Sequence, residues 1–146
     1  RYMVTRSEMR GMQGWFLNRL GCFPIDQRRP SLATLRYAVD LLISRQQLVV
    51  FPEGKINRFG EPVRLKNGLI RLAQLASKKG LEIKIVPVGL AYSNVIPKFC
   101  GSASICFSKP IIISNDFKQS TNDFNIELHK SMRSAEQSAL LAIGRG

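Results

Sequence analysis

Apolar residues recur at helical spacing in four stretches of the chain. In residues 7–20, Met9, Met12, Phe16 and Leu20 lie three or four positions apart, which predicts an amphipathic helix. The same spacing predicts three further helices, over residues 32 to about 47, 67–79 and 124–143. Ser31 is placed to cap the second helix and Gly80 to close the third.

Short apolar runs between these stretches predict strands. The runs cover residues 22–26, 48–51, 83–92 and 102–114. Pro87 lies inside the third run, and because a proline cannot donate to a strand ladder we expect that strand to bulge or end nearby. Helices alternating with continuous apolar strands favour an α/β fold: a layered, largely parallel, buried sheet flanked by helices, in one domain over residues 1–146.

The stretch FPEGKINRFG follows the strand predicted at residues 48–51. Ligands of such sheets gather at the carboxyl ends of the strands. Gly54 permits a sharp turn, and Lys55 and Arg58 are close enough in sequence to converge on one anion. Glu53 needs a partner if it is desolvated there. The spacing does not match the glycine-rich loops of P-loop or dinucleotide-binding proteins, and a surface turn with solvated charges is the structural alternative.

The charge balance favours an anionic partner. Twenty-two Lys and Arg against ten Asp and Glu give a net charge of +12, spread over the whole chain. Nucleic acid, acidic lipid and phosphorylated substrates all fit such a surface, and a merely solvated basic surface is the alternative. The three cysteines form no C-x-x-C pair, so we expect small core residues in a reducing compartment and no metal site.

Four short blocks, in order, resemble the glycerolphosphate and lysophosphatidate acyltransferase family over residues 1–92. They are Gly21 to Asp26, Phe51 to Gly54 with Arg58, Lys66 with Gly68, and Ile85 to Val88. The resemblance implies a glycerolphosphate acyltransferase-like α/β fold. It also implies transfer of a fatty acyl group from acyl-CoA or acyl carrier protein to a hydroxyl of a glycerol phosphate or lysophospholipid, without a further cofactor or metal.

The resemblance also implies roles for individual residues. Arg28 (or Arg29), Lys55 and Arg58 are expected to bind the acceptor phosphate, and Glu53 and Gly54 to shape the floor of the site. Lys66 is expected to add positive potential at a helix start. Two blocks depart from the family pattern: Gln27 stands where the family has an arginine, and Lys55 and Ile56 stand where it has threonine and arginine.

The catalytic block of that family, H-x-x-x-x-D, supplies a general base for the acceptor hydroxyl. The sole histidine is His129, with Ser134 five positions later, so we interpret it as a structural or surface residue. We expect the block ahead of Arg1, in an N-terminally truncated domain that holds the acceptor-binding half and is inactive alone.

Three questions of partner and location follow from the sequence. The helix over residues 7–20, with Trp15 and flanking Arg6 and Arg10, is open to three interpretations: contact with acyl chains, a position at a bilayer surface, or core packing. We expect a membrane-associated protein facing the cytoplasm. The alternatives to an acyltransferase are a non-catalytic lipid-phosphate binder and a basic nucleic-acid-binding domain. Aromatic residues make up only 8% and no nucleic-acid motif occurs, so we expect no nucleic-acid partner.

Overall fold

A computed structural model describes residues 1–27, 29–54, 64–97 and 99–145. The helices are a 3-10 turn at Arg6–Glu8 and α1 Gly11–Arg19, α2 Leu32–Ile43, α3 Gly68–Ser77 and α4 Thr121–Ala142. The strands are β1 Tyr2–Thr5, β2 Cys22–Ile25, β3 Ile83–Ile85, β4 Val88–Tyr92, β5 Ala103–Phe107 and β6 Ile111–Ile113. The four predicted helices are therefore confirmed, with ends shifted by a few residues.

Serine hydroxyls cap two of the helices. The Ser31 side chain accepts a hydrogen bond from the backbone N–H of Thr34 at 3.1 Å, which begins α2 as the sequence predicts. Ser120 caps α4 in the same way, accepting from the Asp123 N–H at 3.1 Å. Each bond satisfies a backbone donor that has no partner within the helix.

The strands of the described ranges form three two-stranded sheets. β1 and β2 pair in parallel, and Val49 adds a parallel bridge to Tyr2. β3 pairs with β6, and β4 with β5, both antiparallel. The mixed α/β class is confirmed, but the prediction of a largely parallel sheet is wrong. Parallel pairing needs a crossover connection, whereas β4 returns to β5 through a loop without a helix.

The apolar runs predicted as strands at 48–51 and 83–92 both form less continuous structure. The first contributes a bridge at Val49 rather than a named strand. The second divides around Val86 and Pro87 into β3 and β4, which join different sheets. Since proline lacks the donor that a ladder requires, this break is the expected one.

Two clusters of buried side chains hold the layers together. One lies between α3, α4, β3 and β6 and includes Ile70, Ile113, Phe124 and Leu128. The other lies between β1, β2, α2 and α3. Helix α3 contributes to both, through Ile70 and Ala73 to the first and Leu72 to the second, so it joins the two halves of the described chain.

The cysteines are free thiols in different surroundings. Cys22 is buried in β2, as the sequence predicts, and Cys106 in β5 is partly buried. Cys100 is exposed, so the prediction of a core position for it is wrong. It lies in the loop between β4 and β5, where apolar neighbours in sequence do not produce burial.

Candidate functional site

The candidate site lies where the parallel segments end. β1 ends at Thr5, which lies opposite Ile25, the last residue of β2. The third parallel segment, through Val49, runs on into Pro52, Glu53 and Gly54. The carboxyl ends of all three segments therefore meet at one edge, the position at which ligands of parallel sheets bind.

Gly54 makes a turn that a residue with a side chain would not readily adopt. Its φ is +67°, and its N–H donates to the carbonyl of Phe51 at 3.1 Å. A Cβ built there would lie 2.5 Å from Cε of Lys66 and 3.0 Å from Oε1 of Gln27. The backbone N–H of Lys66 also donates to the carbonyl of Pro52 at 2.8 Å. The turn and the segment before α3 are thus held side by side, with the lysine side chain lying over the glycine.

Three side chains form a chain of hydrogen bonds across this edge. Nζ of Lys66 donates to Oε1 of Gln27 at 2.9 Å, and Nε2 of Gln27 donates to Oγ1 of Thr5 at 2.6 Å. Gln27 uses its two amide atoms for the two bonds, so its orientation is fixed from both sides. The result is an ammonium group held at the carboxyl end of the parallel strands.

A cleft of about 310 Å³, open to solvent, lies beside this ammonium group. It is lined by Thr5, Arg6, Ser7, Arg10, Ile25, Asp26, Gln27 and Lys66. Asp26 is the acidic member of the lining, and one of its oxygens accepts from the backbone N–H of Arg29 at 3.2 Å. Three cationic side chains against one carboxylate leave the cleft net positive, which suits a small anion such as a phosphate group.

Glu53 lies in a different electrostatic environment. Burial of the carboxyl raises its pKa above the ordinary value of 4.5. The negative charge of Glu136 raises the pKa further, and the nearby Arg133 and His129 oppose the shift. All three of these residues are on α4, where Nη1 of Arg133 also pairs with Oε2 of Glu136 at 2.6 Å. In the turn that follows Val49, Gly54 therefore lies next to the cleft residue Lys66, whereas Glu53 lies near the charged residues of α4.

The predicted site residues are placed as follows. Lys66 lines the cleft and Gly54 lies directly beneath its side chain. Glu53 is close enough to α4 to be influenced by its charges. Arg28, Lys55 and Arg58 lie outside the described residues. The binding role of each of these six residues stays a prediction.

Of the lining residues, the sequence predicted only Lys66 as part of the site; among those it missed are Thr5, Arg6, Ser7, Arg10 and Gln27. The two arginines follow the carboxyl end of β1, and without a predicted strand there the sequence offers no reason to place them at a sheet edge. Gln27 was noted only as a departure from a family pattern. In the structure it is the side chain that orients Lys66.

His129 is far from the FPEG stretch in sequence but close to it in space. It is half-buried on α4, near enough to Glu53 to lower the pKa of that carboxyl. Among the described residues, no group of three or more His, Cys, Asp or Glu side chains is arranged to hold a metal ion. None of the helices in the described ranges has the length and apolar character needed to cross a membrane.

Comparison with known proteins adds two matches. The model of a family described as Acyltransferase matches residues 1–91. A protein of Streptococcus pneumoniae named 1-acyl-sn-glycerol-3-phosphate acyltransferase is 33% identical over 117 residues, covering 78% of this chain and 40% of that protein. The chain therefore spans less than half the length of this relative. No solved structure matches the chain.

Proposed function

The chain belongs to the Acyltransferase family, and from this we propose that it is the acceptor-binding part of a phospholipid acyltransferase. The complete enzyme transfers a fatty acyl group from acyl-CoA or acyl carrier protein to a hydroxyl of a glycerol phosphate or lysophospholipid. The observation that carries the proposal is the cleft in which Lys66, Arg6 and Arg10 surround one open volume.

The acceptor phosphate is the group that this cleft fits best. Guanidinium groups bind phosphate oxygens with paired hydrogen bonds, and an ammonium group adds a point charge. Lys66 is already oriented by Gln27, so less side-chain freedom is lost when an anion binds. Ser7 and Thr5 add hydroxyl groups to the lining, which suits the hydroxyls of a glycerol unit.

Arg28, Lys55 and Arg58 are proposed to add to the same phosphate contact. Arg28 follows Gln27 directly, and residues 55–63 begin after Gly54 and end before Arg64. Gln27 and Gly54, which directly precede these positions, lie within a few ångströms of each other and of Lys66. This proximity supports a shared site.

The chemical step needs a base that this chain is not expected to carry. An alcohol attacks a thioester carbonyl only with help in removing its proton. We propose that an H-x-x-x-x-D block in the preceding part of the natural protein supplies that base. Its histidine would take the proton from the acceptor hydroxyl, and the thiolate of the carrier would leave as the ester bond forms.

Calorimetric titration of the chain with sn-glycerol 3-phosphate tests the binding role. Lys66→Met should weaken binding by about tenfold, the lower end of the range for a charge-assisted contact, because Lys66 is exposed. Lys109→Met removes an equal charge from an exposed position between β5 and β6 and should leave affinity unchanged. Equal losses in both variants would mean that net charge alone attracts the ligand and would reject the site.

An acyl-transfer assay on the complete natural protein tests the enzymatic part. Acylated product from acyl-CoA or acyl carrier protein is the expected result. Phosphate binding without any acyl transfer would reject the enzymatic proposal and support the alternative, a non-catalytic lipid-phosphate binder.

A further inference from the structure

Helix α1 exposes large apolar side chains to solvent. Met12 is 85% exposed, Trp15 58%, Phe16 56%, and Leu20, which follows the helix, 54%. Positions three and four apart lie on one side of a helix, so these residues form a continuous apolar surface, here called the α1 face. The sequence predicts this stripe correctly but does not tell which side of the helix is buried.

Helix α1 buries little of its own surface, since Leu17 is only partly buried and its other large side chains are exposed. Its buried residue is Gly14, and a Cβ there would collide with the backbone of Met9. Helix α3 is different, with five buried residues, including Ile70 and Leu72. Within the described part of the chain, the α1 face is therefore exposed to solvent.

The charges around the α1 face are positive. Residues 9–25 contain Arg10 and Arg19 and no Asp or Glu. Cζ of Arg19 lies 4.3 Å from the centre of the Trp15 ring, so a cation is held against the apolar surface. Glu8, the nearest acidic residue before it, accepts a hydrogen bond from Gln13 at 3.1 Å. An apolar face bordered by arginines fits the headgroup region of an anionic bilayer.

We propose that α1 docks on the surface of an anionic lipid bilayer, with Met12, Trp15, Phe16 and Leu20 in the headgroup region. Arg10, which immediately precedes α1, and Ser7, in the 3-10 turn before it, line the cleft. Docking through α1 brings that end of the cleft to the membrane surface, where a lysophospholipid presents its phosphate. The delivery of an acceptor lipid rests on the proposed function, whereas docking itself depends only on the α1 face.

A second exposed apolar segment defines the competing surface. In the loop between β4 and β5, Val95 is 70%, Ile96 73% and Phe99 99% exposed. This loop carries a single cation, Lys98, whereas α1 has an arginine near each end and borders the cationic cleft. The charge and the cleft therefore favour α1 as the docking surface.

Trp15 makes the proposal directly measurable, since it is the single tryptophan of the chain. Its emission is recorded with vesicles of phosphatidylcholine alone and of equimolar phosphatidylcholine and phosphatidylglycerol, and then with brominated lipids as quenchers. With anionic vesicles we expect a blue shift and quenching by the brominated chains. Binding without either change, or no binding at all, would overturn the proposal.

Paired variants identify the surface. The double variant Phe16→Ser with Leu20→Ser should weaken vesicle binding by about tenfold or more, because two apolar side chains no longer enter the interface. The matched control, Ile126→Ser with Leu141→Ser, removes two residues of α4 that are 60% and 67% exposed and should bind normally. An equal loss of vesicle binding in the control would reject α1 as the docking surface. The same conclusion would follow if the double variant Ile96→Ser with Phe99→Ser lost vesicle binding while the α1 variant still bound.

The failure of this inference is distinguishable from failure of the proposed function. Binding of water-soluble sn-glycerol 3-phosphate to the α1 variant should be unchanged, because neither Phe16 nor Leu20 lines the cleft. Loss of vesicle binding with normal glycerol phosphate binding supports docking through α1. Normal vesicle binding in that variant overturns docking through α1 whatever the cleft binds.

Discussion

The substitution Gly54→Ala tests the link between the turn and the ammonium group. A Cβ at this position would lie 2.5 Å from Cε and 2.9 Å from Nζ of Lys66. Since carbon atoms pack at about 3.5–4.0 Å, the lysine side chain would have to move by about 1 Å or more. It would then lose the bond to Gln27 that orients it toward the cleft.

Two separate effects are expected from this substitution. The first is a loss of stability of about 1–2 kcal/mol, because Gly54 has a left-handed φ of +67°. For a chain of this length that loss lowers the melting temperature by about 2–4 °C per kcal/mol. The second is a loss of affinity for sn-glycerol 3-phosphate of about tenfold, which is the effect of one displaced charge-assisted contact.

Gly80→Ala is the matched control for the first effect. Gly80 has a φ of +82°, but a Cβ there would meet nothing within 4 Å. The control should therefore lose as much stability as Gly54→Ala and none of the affinity. Calorimetric titration and thermal unfolding on both variants measure the two quantities. Unchanged affinity in Gly54→Ala, or an equal loss of affinity in Gly80→Ala, would refute the role assigned to the glycine.

Three further substitutions test packing, capping and electrostatics. Gly89→Ala should lower the melting temperature because its Cβ would collide with the backbone of Glu136, and overpacking costs about 1–3 kcal/mol; an unchanged melting temperature would contradict the contact. Ser120→Ala should cost about 1 kcal/mol in urea unfolding through loss of the α4 cap, whereas no loss would mean that the cap does not contribute. The raised pKa of Glu53 means that the folded state holds its proton more tightly than the unfolded state. The free energy of unfolding should then fall as pH rises from about 4.5, and Glu53→Gln should flatten that dependence in urea titrations at several pH values. Parallel pH profiles for the original chain and the variant would show that Glu53 is not the cause.

Local sequence signals predicted the helices well because they depend on nearby residues. The apolar period, Ser31 and Gly80 all describe contacts within a few residues. Pro87 was informative for the same reason, since a missing donor breaks a ladder wherever it occurs. Periodicity did not reveal that α1 exposes its apolar side, because burial depends on what the rest of the fold offers.

Pairing between distant segments was harder to predict. Continuous apolar runs are typical of parallel sheets, but the direct loop from β4 to β5 produces antiparallel pairs instead. The cleft shows the same limit. The charge of Lys66 at a helix start could be recognised from the sequence. Arg6 and Gln27 line the same cleft only because β1 and β2 pair in parallel, which the sequence did not predict.

The position of α3 between the two hydrophobic clusters has a consequence for motion. Because α3 packs in both clusters, it is released only when both open, so its amide hydrogens should exchange with solvent at rates close to those of global unfolding. Helix α1, with Gly14 as its buried residue, can open at lower free energy. Arg10 immediately precedes α1, whereas Lys66 lies just before α3. Opening of α1 would therefore move the Arg10 side of the cleft and leave the Lys66 ammonium in place.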